Sequence, residues 1–311
     1  MPKFECQDCD NQRTHECIND KEISEVNYHH YLTDIFISEE DIRRIMSKMP
    51  LTNTAGPDGI PSILLNKCNK TLSLPITLLW RTSFENGKEP SNLKLSLIFP
   101  QLKEGALKTA PKSWRPISHI SQLSIIFQKL MKEFIMSHLE NGGHLGDHQF
   151  GFRAKRSCLA QLLRYYEDIL KNIEEGFNQD SIFLDFEKAF DKVDFGILCH
   201  RLMEKKIGGK VGIWLRDFLM GRTQRVIANG EASQISKMIS GVPQGTVLGP
   251  VLFLLIIDSL GDLKLNATIM SFADDSKITM PIHNIEDALT LQECLEKLDK
   301  WQTDNNMCFN V

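Results

Sequence analysis

The segment Ser271-Phe272-Ala273-Asp274-Asp275 constrains this chain more than any other. Strand-forming Ala267-Thr268-Ile269-Met270 precedes it and Lys277-Ile278-Thr279-Met280 follows it, so the stretch reads as a β-hairpin with two carboxylates at its turn. Adjacent aspartates repel, and a fold that keeps both charged in one tight turn calls for a cation there. Aspartate is also a common turn residue, so the pair alone leaves a plain surface turn open. A partner carboxylate lies upstream, where Ser181-Ile182-Phe183-Leu184-Asp185 reads as a buried strand ending in an acid. Central antiparallel strands would set Asp185 beside Asp274. Three carboxylates at one sheet edge suit two ions about 3.5–4 Å apart that clamp an in-line phosphoryl displacement. Between the blocks, Gly241-Val242-Pro243-Gln244-Gly245 concentrates glycine and proline where backbone packs closely, and an apolar helix is expected from Val247 to about Leu260.

In chain order, Leu184-Asp185-Phe186-Glu187-Lys188-Ala189-Phe190-Asp191, Gly241-Val242-Pro243-Gln244-Gly245 and Phe272-Ala273-Asp274-Asp275 resemble the palm motifs of reverse transcriptases. The likeness is closest to non-LTR retrotransposons of the jockey-like and LINE-like group. Upstream, Gly56-Pro57-Asp58-Gly59-Ile60-Pro61, Trp114-Arg115-Pro116-Ile117-Ser118 and Gln149-Phe150-Gly151-Phe152-Arg153 resemble the finger motifs, so the blocks run in the family's order over roughly residues 30–311. The resemblance implies an α+β fold of the right-hand polymerase type. A disordered leader over residues 1–30 would precede a helical fingers region over 31–180, and 181–311 would form the palm, an antiparallel ferredoxin-like sheet backed by helices.

The same resemblance implies an RNA-directed DNA polymerase that extends a DNA primer 3′-hydroxyl with deoxynucleoside triphosphates on an RNA template. Asp185, Asp274 and Asp275 would hold two Mg²⁺ ions, for which Mn²⁺ can substitute, and Phe186 would offer its backbone carbonyl. Phe190, five positions after Asp185, matches the aromatic ring that excludes a ribose 2′-hydroxyl, and Gln244 matches a residue lining the nucleotide and template pocket. Arg115 and Lys103, on an expected hairpin, would grip the triphosphate, Arg115 bidentately. No stretch resembles the endonuclease that full elements carry, and the family's lysine-bearing motif and helical thumb would follow Val311, so a thumb is expected to be absent. Two other classes stay open: a catalytically impaired or domesticated remnant that only binds nucleic acid, and a palm-fold cyclase. The glycine–proline loop and basic fingers favour a template user.

Charge bears on this through its distribution rather than its sum, and by itself fits a solvated mixed surface as well as a nucleic-acid contact. The formal net charge is −4, yet residues 1–50 carry net −5 and residues 101–160 carry net +5. Within the basic region Gln149 to Arg156 reads as an aromatic loop, with Arg153, Lys155 and Arg156 placed to meet phosphates. Phe150 and Phe152 fit either a template contact or the core. The eight scattered cysteines, with no signal peptide before them, read as reduced thiols of an intracellular protein, nuclear or cytoplasmic. Cys6, Cys9, His15 and Cys17 could ligand zinc, but their spacing matches no common finger. The longest apolar run, Val247 to Ile257, is shorter than the ~20 residues a bilayer span needs. Oligomeric state is open.

Periodicity predicts helices from Ile42 after Ser38, from Ile63, over 71–86 with Leu72, Ile76, Leu79 and Trp80 on one face, and over 121–140 and 158–175. Further helices are expected from Asp191 to about Lys206, from Val211 to Met220, and over 285–306 with Leu289, Leu291, Leu295, Leu298 and Trp301 inward. Leu95–Pro100 and Ser113–Ser118 read as a strand pair. Gln224–Ala228 and Gln234–Lys237 read as another, joined by Asn229-Gly230.

Overall fold

A computed structural model describes residues 30–110 and 113–310. The expected leader and the candidate zinc ligands Cys6, Cys9, His15 and Cys17 lie outside the described residues. The chain is α+β, with helices packed on two sheets.

Helix α1 (Glu39–Ser47) starts where Ser38 accepts a hydrogen bond from the Asp41 amide, with three acids in the first turn to match the helix dipole. It buries Ile42, Ile45 and Met46. After α2 (Ser62–Lys67), α3 (Asn69–Glu85) buries Ile76, Thr77, Trp80 and Phe84. The expected face is therefore rotated, and Leu79 is exposed. Small Ser73 and Thr77 make room for the packing that a leucine would otherwise occupy, with the Thr77 hydroxyl bonded to the Ser73 carbonyl at 2.7 Å. Trp80 stacks on Phe127 at 4.6 Å, and Phe127 meets Trp214 edge-on at 4.8 Å, which joins α3 to α4 (Gln122–Asn141) and to the later α7.

Strand β1 (Leu95–Leu102) and β2 (Trp114–His119) form the expected hairpin, with Gln101 opposite Arg115. Helix α5 (Cys158–Glu174) then leads into β3 (Asn178–Leu184). Helices α6 (Phe195–Glu204) and α7 (Gly209–Leu219) follow, then β4 (Thr223–Ala228). Asn229 and Gly230, both at positive φ, turn β4 back into β5 (Glu231–Ala232). The return strand is not continuous as expected: the Ser233 hydroxyl takes the Val226 amide, and pairing resumes only at β6 (Ser236–Lys237). β4 also pairs parallel to β1, so strands from both sides of residue 180 share one sheet.

The second sheet runs β3-β8-β7, all antiparallel, with β7 (Thr268–Phe272) and β8 (Asp275–Ile282) as its hairpin. β3 lies at the edge rather than buried between strands, and its Phe183 is 70% exposed, so the reading of a central buried strand is corrected. An apolar run at an edge can put only one face, here Ile182 and Leu184, against the core. Helix α8 (Gly249–Ile257) is apolar on all sides and buried throughout from Val251 to Ile257, the mark of a helix at the centre of a core. Helix α9 (Ile285–Asp304) buries Leu291, Leu298 and Trp301 but leaves Leu289 exposed, against expectation. Buried Glu89 and Arg222 pair at 2.8 Å and tie the segment before β1 to the start of β4.

Candidate active site

Register brings the carboxylates together. Phe272 pairs with Asp275, so Ala273 and Asp274 form the turn of the β7–β8 hairpin. Leu184 pairs with Ser276, and one step further along these antiparallel strands Asp185 faces the position of Asp275. Below the turn, the Ser271 and Ser276 hydroxyls share a buried 2.8 Å hydrogen bond.

The turn is held from outside by the segment 148–151. The Ser271 amide donates to the His148 carbonyl and the Phe150 amide donates to the Ser271 carbonyl, both at 2.8 Å. Buried Gln149 then grips the turn itself. Its Oε1 accepts from the Ala273 amide at 3.1 Å and from the Gly151 amide at 2.7 Å, and its Nε2 donates to the Ala273 carbonyl at 3.3 Å. Ala273 sits at φ 57°, in the left-handed region that disfavours a side chain. Gly151 is required here because a Cβ would lie 2.2 Å from the Ala273 nitrogen.

Asp185 is held from the other side. The Asn310 amide donates to its carbonyl at 2.8 Å, and Asn310 Nδ2 donates to its Oδ2 at 3.0 Å. The Glu187 amide donates to the Cys308 carbonyl, so Phe186 and Phe309 face each other across a short antiparallel bridge. Alternation along the chain turns the Phe186 carbonyl away from that bridge.

Burial, with the charges of Asp275 and Asp185 adding to it, holds the Asp274 carboxyl above the ordinary aspartate range. Such a cluster favours protonation until a cation arrives. The donor set is oxygen-only, the chemistry Mg²⁺ prefers, with two acids at the turn and Asp185 level with them across the strands. Among the described residues no three acid, histidine or cysteine side chains form a ready-made cage. Mg²⁺ tolerates that, because substrate phosphates and water ordinarily complete its shell.

A second wall comes from Phe190 and the loop 241–245. The Phe190 ring stacks on Phe253 at 4.5 Å and meets Phe152 edge-on at 6.3 Å. The Val242 amide donates to the Phe190 carbonyl and the Gly241 amide to the Val193 carbonyl. Gln244 Nε2 donates to Asp191 at 3.0 Å, while its carbonyl accepts the Ser118 amide of β2. Gly245, at φ 91°, lies against Ile117 and Ser118. Arg115 is exposed, two residues along β2 from Ile117, and Lys103 opens the exposed loop between β1 and β2.

The basic loop is arranged less simply than its composition suggests. The Arg153 side chain is 6% exposed and binds Glu140 through both Nε and Nη2, with Nη1 on the Gly146 carbonyl. It is committed to fixing the 149–153 segment to the end of α4 rather than reaching into solvent. Arg156 pairs with Asp147 and lies over the Phe150 ring, whereas Lys155 is exposed. Phe150 is buried and Phe152 exposed. Glu187 takes Lys192 at 2.8 Å.

Sequence reasoning missed Gln149 as the clamp of the turn, Gly151 as its contact, and Asn310 as the partner of Asp185. Gln149 and Gly151 stood inside a finger-like block that was read for its charges. An acid–arginine pairing, Glu140 with Arg153, was the available signal that the block had an internal structural role.

The family profile described as reverse transcriptase (RNA-dependent DNA polymerase) matches residues 102–311, and the chain belongs to that family. Relatives named as RNA-directed DNA polymerases of mobile elements are among those it matches. The chain is 30% identical over 290 residues to the probable RNA-directed DNA polymerase from transposon X-element of Drosophila melanogaster, covering 88% of this chain and 31% of that protein. It is 25% identical over 283 residues to the RNA-directed DNA polymerase from mobile element jockey of the same species, covering 88% and 31%. The chain thus spans about a third of the length of these relatives. Among the described residues no helix is long and apolar enough to cross a membrane.

Proposed function

We propose that this chain is the template-directed polymerase portion of a non-LTR retrotransposon reverse transcriptase, adding deoxynucleotides to a DNA primer on an RNA template. The observation that carries the reading is the strand register that brings Asp185 to the Asp274-Asp275 turn in a chain of this family. The order β3-α-β7-β8-α9, with the Phe309 segment returning beside β3, supports a ferredoxin-like palm over 181–311, with fingers over 31–180.

Two Mg²⁺ ions, when bound, would supply the Lewis acidity that activates a primer hydroxyl and steadies a pyrophosphate leaving group. Asp185 and Asp274 would hold them, with Asp275 assisting and the Phe186 carbonyl turned to the same side. Gln149 and Asn310 would keep the acids in register. Phe190, backed by Phe253, would exclude a ribose 2′-hydroxyl, while Gln244 lines the nucleotide site. Arg115 and Lys103 would meet the triphosphate, and Lys155 with the exposed Phe152 would meet the template strand.

The test is primer extension on an RNA template with the Asp185→Asn protein. Extension should fall at least a thousandfold with the fold unchanged by circular dichroism, an effect of about 4 kcal/mol on the barrier. Normal extension by that variant would overturn the assignment.

A further inference from the structure

Helix α5 is built the wrong way round for a buried helix. Ser157 caps its start by accepting from the Ala160 amide. It is tied to the β3-β8-β7 sheet through polar and aromatic contacts. The Tyr165 hydroxyl donates to Ser181 at 3.0 Å, the Lys277 ammonium lies 3.9 Å from the Tyr165 ring, and Asn172 donates to Gln179 at 2.6 Å. Its apolar side chains point outward. Leu159, Leu162, Leu163, Tyr166, Leu170 and Ile173 are each 42–64% exposed. Their spacing of three and four makes one continuous stripe, about 21 Å long at 1.5 Å per residue. Phe183 on β3 extends it through Tyr165, whose ring it meets at 6.3 Å.

From these fractions and ordinary side-chain areas, the stripe exposes on the order of 700 Å². That exceeds the ~300–600 Å² of the largest apolar patch on a typical monomer and approaches the ~800 Å² each partner contributes to a stable interface. The order of side chains along the stripe indicates what covers it. Laid antiparallel on a second copy about a twofold axis through Tyr166, the stripe is self-complementary: Leu159 of one copy meets Ile173 of the other and Leu162 meets Leu170.

We propose that α5 is the contact face of a symmetric dimer of this chain, the two helices packed antiparallel across a twofold axis at Tyr166. This inference rests on α5 alone and is independent of the proposed chemistry. The axis orders the crosslinks: Tyr166→Cys thiols lie side by side, whereas the native Cys158 thiols, eight residues from the axis in each copy, lie about 24 Å apart. A parallel pairing would instead bring Cys158 to Cys158.

Sedimentation of the full chain at about 10 µM should show a dimer, and Leu163→Glu with Leu170→Glu should raise its dissociation constant at least a hundredfold. Both positions are exposed, so circular dichroism of that variant should match the unsubstituted chain. Under mild oxidation the Tyr166→Cys protein should form a covalent dimer well above the background of the unsubstituted chain. A monomeric chain at that concentration, an assembly untouched by the two glutamates, or crosslinking through Cys158 in preference to position 166 would each overturn the proposal.

Discussion

Replacing Gln149 with methionine keeps the length of the side chain and removes all three of its hydrogen bonds, two to Ala273 in the β7–β8 turn and one to Gly151. The Ala273 and Gly151 amides and the Ala273 carbonyl would then be buried without partners. Each such loss costs about 1–3 kcal/mol, and the 3.3 Å bond to the Ala273 carbonyl is the weakest of the set, so a total of about 3–4 kcal/mol is expected. A domain of this kind has about 5–15 kcal/mol of stability, so the variant should still fold, melting roughly 6–16 °C lower. Activity should suffer more than stability, because a turn displaced by about 1 Å can lower a rate some hundredfold. Urea unfolding and single-nucleotide extension at saturating Mg²⁺ measure the two effects. Gln149→Glu is the control in mild acid: its protonated carboxyl can still accept from the amides and donate to the Ala273 carbonyl, so its stability there should fall less than that of the methionine variant. A methionine protein within about 0.5 kcal/mol of the unsubstituted chain, extending primers normally, would refute the idea that Gln149 holds the turn.

Asp274→Asn should abolish extension yet raise the melting temperature of the metal-free protein at neutral pH. The folded state holds the Asp274 proton to higher pH than the unfolded chain does, so its contribution is present in acid and lost as pH rises through its raised folded-state value. The stabilisation by asparagine should therefore shrink on acidification, and Mg²⁺ should raise the melting temperature of the unsubstituted chain but not of the variant. A variant less stable than the parent at pH 7 without metal would contradict this. Phe190→Val should lower the preference for deoxynucleotides at least tenfold, read as the ratio of dNTP to rNTP incorporation efficiency; an unchanged ratio would make the ring simply part of the Phe253 stack. Arg222→Met should cost about 3–5 kcal/mol at pH 7 by stranding buried Glu89. Burial already pushes the Glu89 carboxyl up against the pull of Arg222, so the loss should be smaller in acid, where Glu89 takes a proton. Urea titrations at two pH values check it.

The hairpin around Asp274 was legible because its signal is local: two strand-forming runs flank a polar pair. The helices were legible for the same reason, since a 3.6-residue period reports itself within a dozen residues. Periodicity says less about which flank of a stripe is buried. Leu79 and Leu289 sit on their stripes yet face out; in α3 small Ser73 and Thr77 are the residues that face the neighbouring helices. Strand partners beyond the neighbouring hairpin were less legible. Nothing in Leu95–Leu102 announces a parallel neighbour at Thr223, and an apolar β3 reads alike at a sheet's edge or centre. Gln149 and Asn310 were invisible as supports because their partners lie 124 and 125 residues away in the chain. Arg153 was misread because charge was counted without asking which carboxylate it would meet.

The parallel pairing of β1 with β4 also orders events at the ribosome. β1 finds β2 within a short loop, but its other edge stays open until the Thr223 segment emerges. At about 5–20 residues per second, that wait is on the order of ten seconds, far longer than the microseconds in which a hairpin closes. During that interval the nascent chain presents a bare strand edge able to pair with any extended neighbour. The approach of Asp185 to the Asp274 turn, which needs β8, comes later still, about fifty residues after Thr223 has emerged.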